Sequence, residues 1–473
     1  MGTVHAKAPE TTMESHRPEF EGPSNDTDPN FKFDIRTVPV KVDRVVIDGV
    51  GKTKNDILEK TLKPVLSASN FKEMVEKSTE AKILLEKLEL FKKVDILIDT
   101  SKGKKASANG YEVQYHVEER KYPILNVKME LGAHSANESD VVVRMKYTNM
   151  FGRGESCTLD YSRVFKDDGG YGFQFSKPIN GDPNIRIGAN IYKGYAEFPW
   201  SSFKEISRGT ALHLMFPTKL GSHCLKWEGV WREMRALNRD TSFAVREQAG
   251  HTLKSSIQHV LMRDKRDDKI LPTKGYLVKL TQEYAGLGGN VEFVKNDVEL
   301  QYNLPLVFDS IIQLSLAGGI LTKIDQNRDI KINDRYFLGG PLTLRGFTVN
   351  GVGPHSDGNA LRADALGADA YWLSGLHLYT PLPFRPGKGG FGEMFRSHFF
   401  VTAGNLGNVN LTETAKENFK NLTETFRLSY GLGVVLRLGG IARLEINYVI
   451  PVRYQHGDNV DKGFQYGIGI SFL

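Results

Sequence analysis

The residues whose types and spacing could do chemistry are few, and each meets an objection. Val46-Ile-Asp-Gly-Val-Gly51-Lys52-Thr53 lies between a strand-like run and a helix-like run, the setting of a phosphate-binding loop. Such a loop needs glycine at its first position to wrap a phosphate, and Val46 stands there, so nucleotide binding is not expected. Arg263-Asp-Lys-Arg-Asp-Asp268 gathers carboxylates that could serve a metal or acid–base chemistry. The interleaved cations neutralise them and the spacing matches no ligand set, so a turn or an inward-facing charge network is the reading. The 12 histidines form no HExxH pair, and no Ser-His-Asp or Cys-His arrangement has a recognisable local context. Cys157 and Cys224, far apart and without CxxC spacing, read as free thiols. No catalytic residue, cofactor or metal is expected, and the chain is read as something other than an enzyme.

Attention therefore moves to the elements. The 473 residues suit two or three units, not one core. A net charge of +6, spread along the chain, is unlike the clustered basic face that nucleic acid requires. No run of about 18 apolar residues exists, so no transmembrane helix is expected. A spanning β-strand needs only about 10 residues and alternates lipid-facing with lumen-facing side chains, so it is amphipathic. The 47 Gly, 26 Phe and 18 Tyr give the texture of a barrel with aromatic girdles. The first residues show no secretory h-region, and Glu10, Glu14, Glu19, Glu21, Asp26 and Asp28 argue against a matrix presequence. Ala6 stands where a myristoylation signal wants Ser or Thr. A barrel without a signal peptide points to a mitochondrial or plastid outer membrane. The sequons Asn410-Leu-Thr412 and Asn421-Leu-Thr423 carry no meaning there.

Three regions are expected: 1–38, polar, Pro-containing and disordered; 39–121, a small α/β unit; and 122–473, a transmembrane β-barrel. In the α/β unit a strand through Val42 to Ile47 ends at Asp48-Gly49, and a short helix follows Asn55. Asn70 and Glu73 form a capping box for a second helix. Its buried stripe is Phe71, Met74, Val75, Ala81, Leu85 and Leu88. Phe91, Val94, Ile96 and Ile98 make the next strand; Val113, Tyr115 and Val117 alternate with polar residues in the last, giving the order β-α-α-β-β. Beyond Tyr122 short alternating segments dominate, such as 171–175, 225–231 (with Trp227 and Trp231 on one face) and 275–280. A short helix near 412–420 interrupts them. At about 10 residues per strand plus connections there is room for about sixteen strands. The last runs from Phe464 to Leu473.

Four segments in order resemble the outer-membrane assembly proteins typified by bacterial BamA. Among these, the resemblance is to the core barrel subunits of the mitochondrial sorting and assembly machinery, over residues 40–473. Asn149-Met-Phe-Gly152-Arg153-Gly154 resembles an early strand-turn of that family. Asp264, Arg266, Asp267, Pro272 and Gly275 resemble its mid-barrel segment. Asp334-Arg-Tyr-Phe-Leu-Gly339-Gly340 through Arg345-Gly346-Phe347 resembles a loop that folds back into the lumen. Phe384-Arg-Pro-Gly-Lys-Gly-Gly-Phe391 is similar to a stretch of the mitochondrial members. The α/β unit resembles a polypeptide-transport-associated (POTRA) domain through Leu90-Phe91-Lys-Lys-Val94-Asp-Ile96. Glu89 replaces that motif's usual Gly, so the turn is expected to be distorted.

A lumen loop needs a fixed contact, which the rigid five-donor fork of Arg345 could make, with Gly346 allowing close approach and Phe347 packing on the wall. The resemblance implies an acidic wall partner, but Thr402 stands at the expected Asp position. The final strand, with Gln465, Gly467, Ile468, Gly469, Ile470 and Phe472, matches the signal carried by mitochondrial barrel substrates, although any final strand alternates. Gly467 and Gly469 weaken packing where this strand would meet the first, Leu125, Asn126, Val127, Lys128, Met129, Glu130 and Leu131. A seam that pairs poorly can open and offer its edge to an incoming strand. The expected function is insertion of β-barrel precursors into the lipid bilayer of the mitochondrial outer membrane, with the front unit in the intermembrane space. The resemblance also implies metaxin-type partners and contact with the cristae-organising complex. A protein-translocating or metabolite-conducting pore is the alternative; a soluble β-sandwich fits poorly without disulfides.

Overall fold

The computed structural model describes residues 38–102, 107, 109–131, 139–164, 169–325, 328–356, 363–382, 391–409, 414–440 and 442–469. The front unit comprises β1 (Lys41–Asp48), α1 (Asn55–Leu62), α2 (Phe71–Lys87), β2 (Phe91–Thr100) and β3 (Gly110–Glu119), in the expected order. β3 is central, parallel to β1 and antiparallel to β2. Its alternation puts Val113, Tyr115 and Val117 in the core and leaves His116 and Glu118 exposed.

At the start of α2 the Asn70 side chain accepts the Glu73 amide at 2.8 Å. The Glu73 carboxylate reaches the Ser69 amide (2.9 Å) and hydroxyl (2.6 Å), so the reciprocal arm of the cap closes one residue early. The buried stripe departs from expectation at one position. Val75 is 39% exposed and Ser78 is buried, because residues 74, 78, 81 and 85 share one face of a 3.6-residue helix and 75 does not. Burying Met74 and Leu85 stabilises the unit by about 1.5–3 kcal/mol each.

A second sheet of sixteen strands follows, each paired antiparallel with its sequence neighbour. It opens with β4 (Ile124–Leu131), β5 (Ser139–Thr148), β6 (Ser156–Val164), β7 (Gly170–Ile179), β8 (Asp182–Phe198) and β9 (Phe203–Pro217). β10 (Ser222–Ala236), β11 (Gly250–Asp264), β12 (Gly275–Gly289), β13 (Phe293–Pro305) and β14 (Ile311–Lys323) continue it. β15 (Ala370–Thr380), β16 (Phe395–Gly407), β17 (Arg427–Leu438), β18 (Ala442–Arg453) and β19 (Gly463–Gly469) complete it. The pattern is inverted relative to a soluble protein: on β13, Val298, Leu300, Tyr302 and Leu304 are exposed while Gln301 and Asn303 are buried. Apolar side chains outward and polar ones inward define a membrane-spanning barrel. Trp227 and Trp231 both lie on the exposed face. A short α3 (Phe243–Arg246) lies between β10 and β11. The helix expected near 412–420 is α4 (Ala415–Glu424), capped by a reciprocal Thr414–Glu417 box. The carboxylates of 263–268 form a turn network: Asp264 holds Arg266 (2.8 Å), Asp267 accepts Thr273 and Lys274, and Asp268 pairs with Arg437. Both cysteines are free thiols.

The front unit is fastened to the barrel where two of the singled-out segments meet. Glu119 accepts the amides of Gly51 (3.0 Å), Lys52 (2.8 Å) and Thr53 (2.9 Å) and the Thr53 hydroxyl. An internal carboxylate thus fills the place a phosphate would take in the loop. Asn149, in the β5–β6 turn, donates to Thr53 Oγ1 (2.7 Å) and to Glu119 (3.0 Å). Lys54 donates its amide to the Gly152 carbonyl at 2.8 Å, an approach that requires glycine, since a Cβ there would lie 2.3 Å from the Lys52 carbonyl oxygen. Glu89 does not distort its turn; it adopts the left-handed φ of +59° that a glycine would supply and pairs with Lys146 on β5.

Candidate functional site: the lumen loop and the last strand

In the connection from β14 to β15, described over 324–325, 328–356 and 363–369, the stretch from Asp334 to Phe347 lies against the inner faces of the strands. Its tip is built around Arg345, which is 0% exposed. Its Nη2 pairs with Glu445 at 2.8 Å, and the guanidinium lies 5.0 Å from the centroid of the Phe400 ring. Glu445, also fully buried, sits on β18 between Arg443 and Asn447, which share its inward face. Arg443 binds the other carboxylate oxygen at 3.1 Å, and Asn447 donates to Glu445 at 3.1 Å. His398 contacts Asn447 (2.9 Å) and His377 (3.0 Å), closing a buried polar cluster behind the ion pair.

The acidic partner is therefore Glu445, one hundred residues from Arg345 in sequence. Thr402, at the position where an Asp was expected, has another task. Its hydroxyl meets that of Ser429 at 2.8 Å, and Ser429 donates to the Arg345 carbonyl at 2.6 Å. The loop backbone is thus gripped as well as its side chain. The sequence signal for Glu445 lay in β18 itself, where Arg443, Glu445 and Asn447 alternate with Leu444, Ile446 and Tyr448; three polar residues at period two mark a lumen face.

Gly346 and Phe347 extend the grip to the last strand. The Gly346 amide donates to Gln465 Oε1 at 2.9 Å, and Gln465 Nε2 donates to the Phe347 carbonyl at 3.1 Å and to Asp461 at 2.9 Å. Gly346 has φ +89°, and a Cβ there would sit 3.2–3.4 Å from Val449, Ser429 and Pro451. Phe347, fully buried, packs in a cluster that includes Leu344, Leu338 and Leu406. Its backbone bridges Val460, and the amides of Thr348, Asn459 and Asp461 continue the pairing to the β18–β19 connection. The loop has a second attachment: Asp334 receives both Nη atoms of Arg232 on β10 at 2.8 Å, with both residues buried.

The structure thus brings Arg345, Gly346 and Phe347 together with Gln465. Gly467 is buried, opposite Glu445 on β18; Ile468 is exposed, opposite Leu444; and Gly469, half-buried, lies opposite Arg443 in the ladder. Ile470 and Phe472 lie outside the described residues, as do residues 1–37 and 384–390. β4 and β19 are the two ends of the strand order, and among the described residues no ladder joins them. On β4, Leu125, Asn126 and Val127 are exposed and pair with Met145, Arg144 and Val143 of β5; Lys128, Met129, Glu130 and Leu131 continue that ladder opposite Val142, Val141, Asp140 and Ser139.

Comparison with known proteins agrees with this geometry. Residues 149–472 match the Omp85 superfamily domain. The chain is 45% identical to the sorting and assembly machinery component 50 homolog of Homo sapiens and 44% to homolog B of Xenopus laevis, in each case over the whole of both chains. It is 32% identical to a SAM50-like protein of Drosophila melanogaster, over 93% of this chain and 97% of the other. In fold it resembles BamA from Haemophilus ducreyi lacking POTRA domains 1–3, with a TM-score of 0.71 at 18% identity over 91% of this chain and 84% of that one. With a family match over more than half its length and full-length similarity to these homologues, the chain belongs to the Omp85 superfamily, in its sorting and assembly machinery component 50 branch.

Proposed function

We propose that this chain inserts β-barrel precursors into the mitochondrial outer membrane through a seam between β4 and β19. The supporting observation is the hold of the lumen loop on Gln465: it fixes the lumen face of one terminal strand, leaving the other, β4, to separate. A strand edge freed in this way carries unpaired backbone groups, which in lipid must find partners, so an incoming strand pairs there and is passed on without orphaned hydrogen bonds. Backbone pairing needs no cofactor and no catalytic group. A lumen crossed by a loop with two buried ion pairs suits this reading better than an open pore. The reading divides the chain into a terminal segment 1–38, a POTRA unit 39–121 facing the intermembrane space, and a barrel 122–473. Precursors are the clients; metaxin-type subunits and the cristae-organising complex are the partners that relatives of this kind suggest.

Cys replaced for Ile468, in a chain whose Cys157 and Cys224 are substituted, tests the seam during import of a precursor with Cys in its own final strand. Register-specific crosslinks that disappear when the precursor's last strand is scrambled are expected. Crosslinks confined to lumen-facing positions, with β4 and β19 still crosslinkable to each other, would replace the insertase with a conducting pore.

A further inference from the structure

A cavity of about 460 Å³ lies between the end of α2 and the inner wall of β5 to β8. Lys87, Arg144, Lys146 and Arg186 line it, with the hydroxyls of Ser156 and Ser176 between them. Two carboxylates oppose these four cations: Asp160 pairs with Arg144 at 2.6 Å, and Glu89 pairs with Lys146. Arg186 donates to Ser176 at 3.1 Å, and among the described residues neither Arg186 nor Lys87 has a carboxylate in ion-pair contact. The wall therefore holds two more cations than carboxylates, with Lys87 exposed and Arg186 half-buried within the field of Glu89, and the Ser156 and Ser176 hydroxyls bonded to each other at 2.9 Å beside them. The wall begins one strand in from β4, so a chain lying along the opened first strand would pass it.

We propose that this cavity binds a carboxylate-bearing peptide segment, through Arg186 and Lys87 with the Ser156 and Ser176 hydroxyls. The proposal names a subsite of the function argued above and rests on it only for the identity of the client. Two sources could supply such a segment: an entering precursor, or this chain's own residues 10–28, which carry six carboxylates against Arg17.

The test uses the full chain in lipid nanodiscs and a fluorescein-labelled tetra-glutamate peptide, with tetra-glutamine as its neutral counterpart. Fluorescence anisotropy should show tetra-glutamate binding, weakened at least about tenfold in R186Q/K87Q and retained in R186K/K87R, since charge-assisted hydrogen bonds are the source of affinity. K323Q/R328Q, which removes one cation at the end of β14 and one just beyond it, both paired elsewhere, should leave binding unchanged. If binding emerges only after the six carboxylates of 10–28 are neutralised, the cavity's occupant is the chain's own segment. If it is seen without that change, the client is the source. Equal binding by R186Q/K87Q and the parent, equal loss in R186K/K87R and R186Q/K87Q, or no binding in either form of residues 10–28 overturns the proposal, whether or not the seam crosslinks succeed.

Discussion

Glu445→Gln should loosen the lumen loop more than Arg345→Gln does, although the two residues form one ion pair. Breaking a buried pair by removing one partner costs about 3–5 kcal/mol, because the remaining charge is stranded out of water. After Arg345→Gln, Glu445 keeps Arg443 at 3.1 Å, so the cost falls at or below the bottom of that range. After Glu445→Gln, Arg345 and Arg443, both buried, lose the carboxylate that they share, so the cost falls at its top. At tenfold per about 1.4 kcal/mol, those limits correspond to local opening roughly 100-fold to a few thousand-fold more frequent. Hydrogen exchange of the amides of Gly346, Thr348 and Gly351, each bonded in the closed loop, reads that opening directly. Exchange in Glu445→Gln within about threefold of the parent, or faster exchange in Arg345→Gln than in Glu445→Gln, would refute the assignment of Glu445 as the shared counter-charge.

Gln465→Leu should strand the Gly346 amide and the Phe347 carbonyl at a cost of about 1–3 kcal/mol, read as faster exchange at Gly346 while the β18–β19 ladder stays protected. At the junction, burial alone would raise the Glu119 carboxyl, but hydrogen bonds from Thr53, Lys52 and Gly51 outweigh it and hold it below its ordinary value of 4.5. A depressed folded pKa means stability that is full above 4.5 and lost as pH falls through the folded value. Protection of the Lys52 and Thr53 amides should therefore fade in acid, and Glu119→Gln should abolish that pH dependence. Glu89→Gly relieves a left-handed non-glycine residue at about 1–2 kcal/mol and loses a half-exposed ion pair worth about 0–1 kcal/mol, so the front unit should resist urea as well as the parent or better.

Local chemistry was legible and long-range pairing was not. Strand number followed from the length beyond Tyr122 at about 10 residues per strand plus connections, and alternation marked those segments as strands, because a barrel strand in lipid shows period two on both faces. The front unit's order followed from Asn70, from the stripe through Met74 and Leu85, and from the alternation of Val113 to Val117. Val75 was misplaced because spacing by threes and fours admits two adjacent faces, and only packing chooses between them. The partner of Arg345 was missed because a contact across one hundred residues leaves no local trace; what could be read was that β18 turns charges inward. Likewise Val46 showed that the Gly51-Lys52-Thr53 loop could not wrap a phosphate, but not that Glu119, folded in from β3, would occupy it.

The two loop attachments, Asp334 on β10 and Arg345 on β18, lie eight places apart in a sixteen-strand order. That is half the circumference, so the connection acts as a tie-rod across a hoop. A hoop braced at opposite points resists flattening, and strain applied at its rim concentrates in the arc least supported from within. One arc between the attachments runs through β11 to β17; the other holds β4 to β9 and β19. Swelling of the whole cylinder would have to stretch the rod, whereas peeling of β4 from its neighbour across the seam would not.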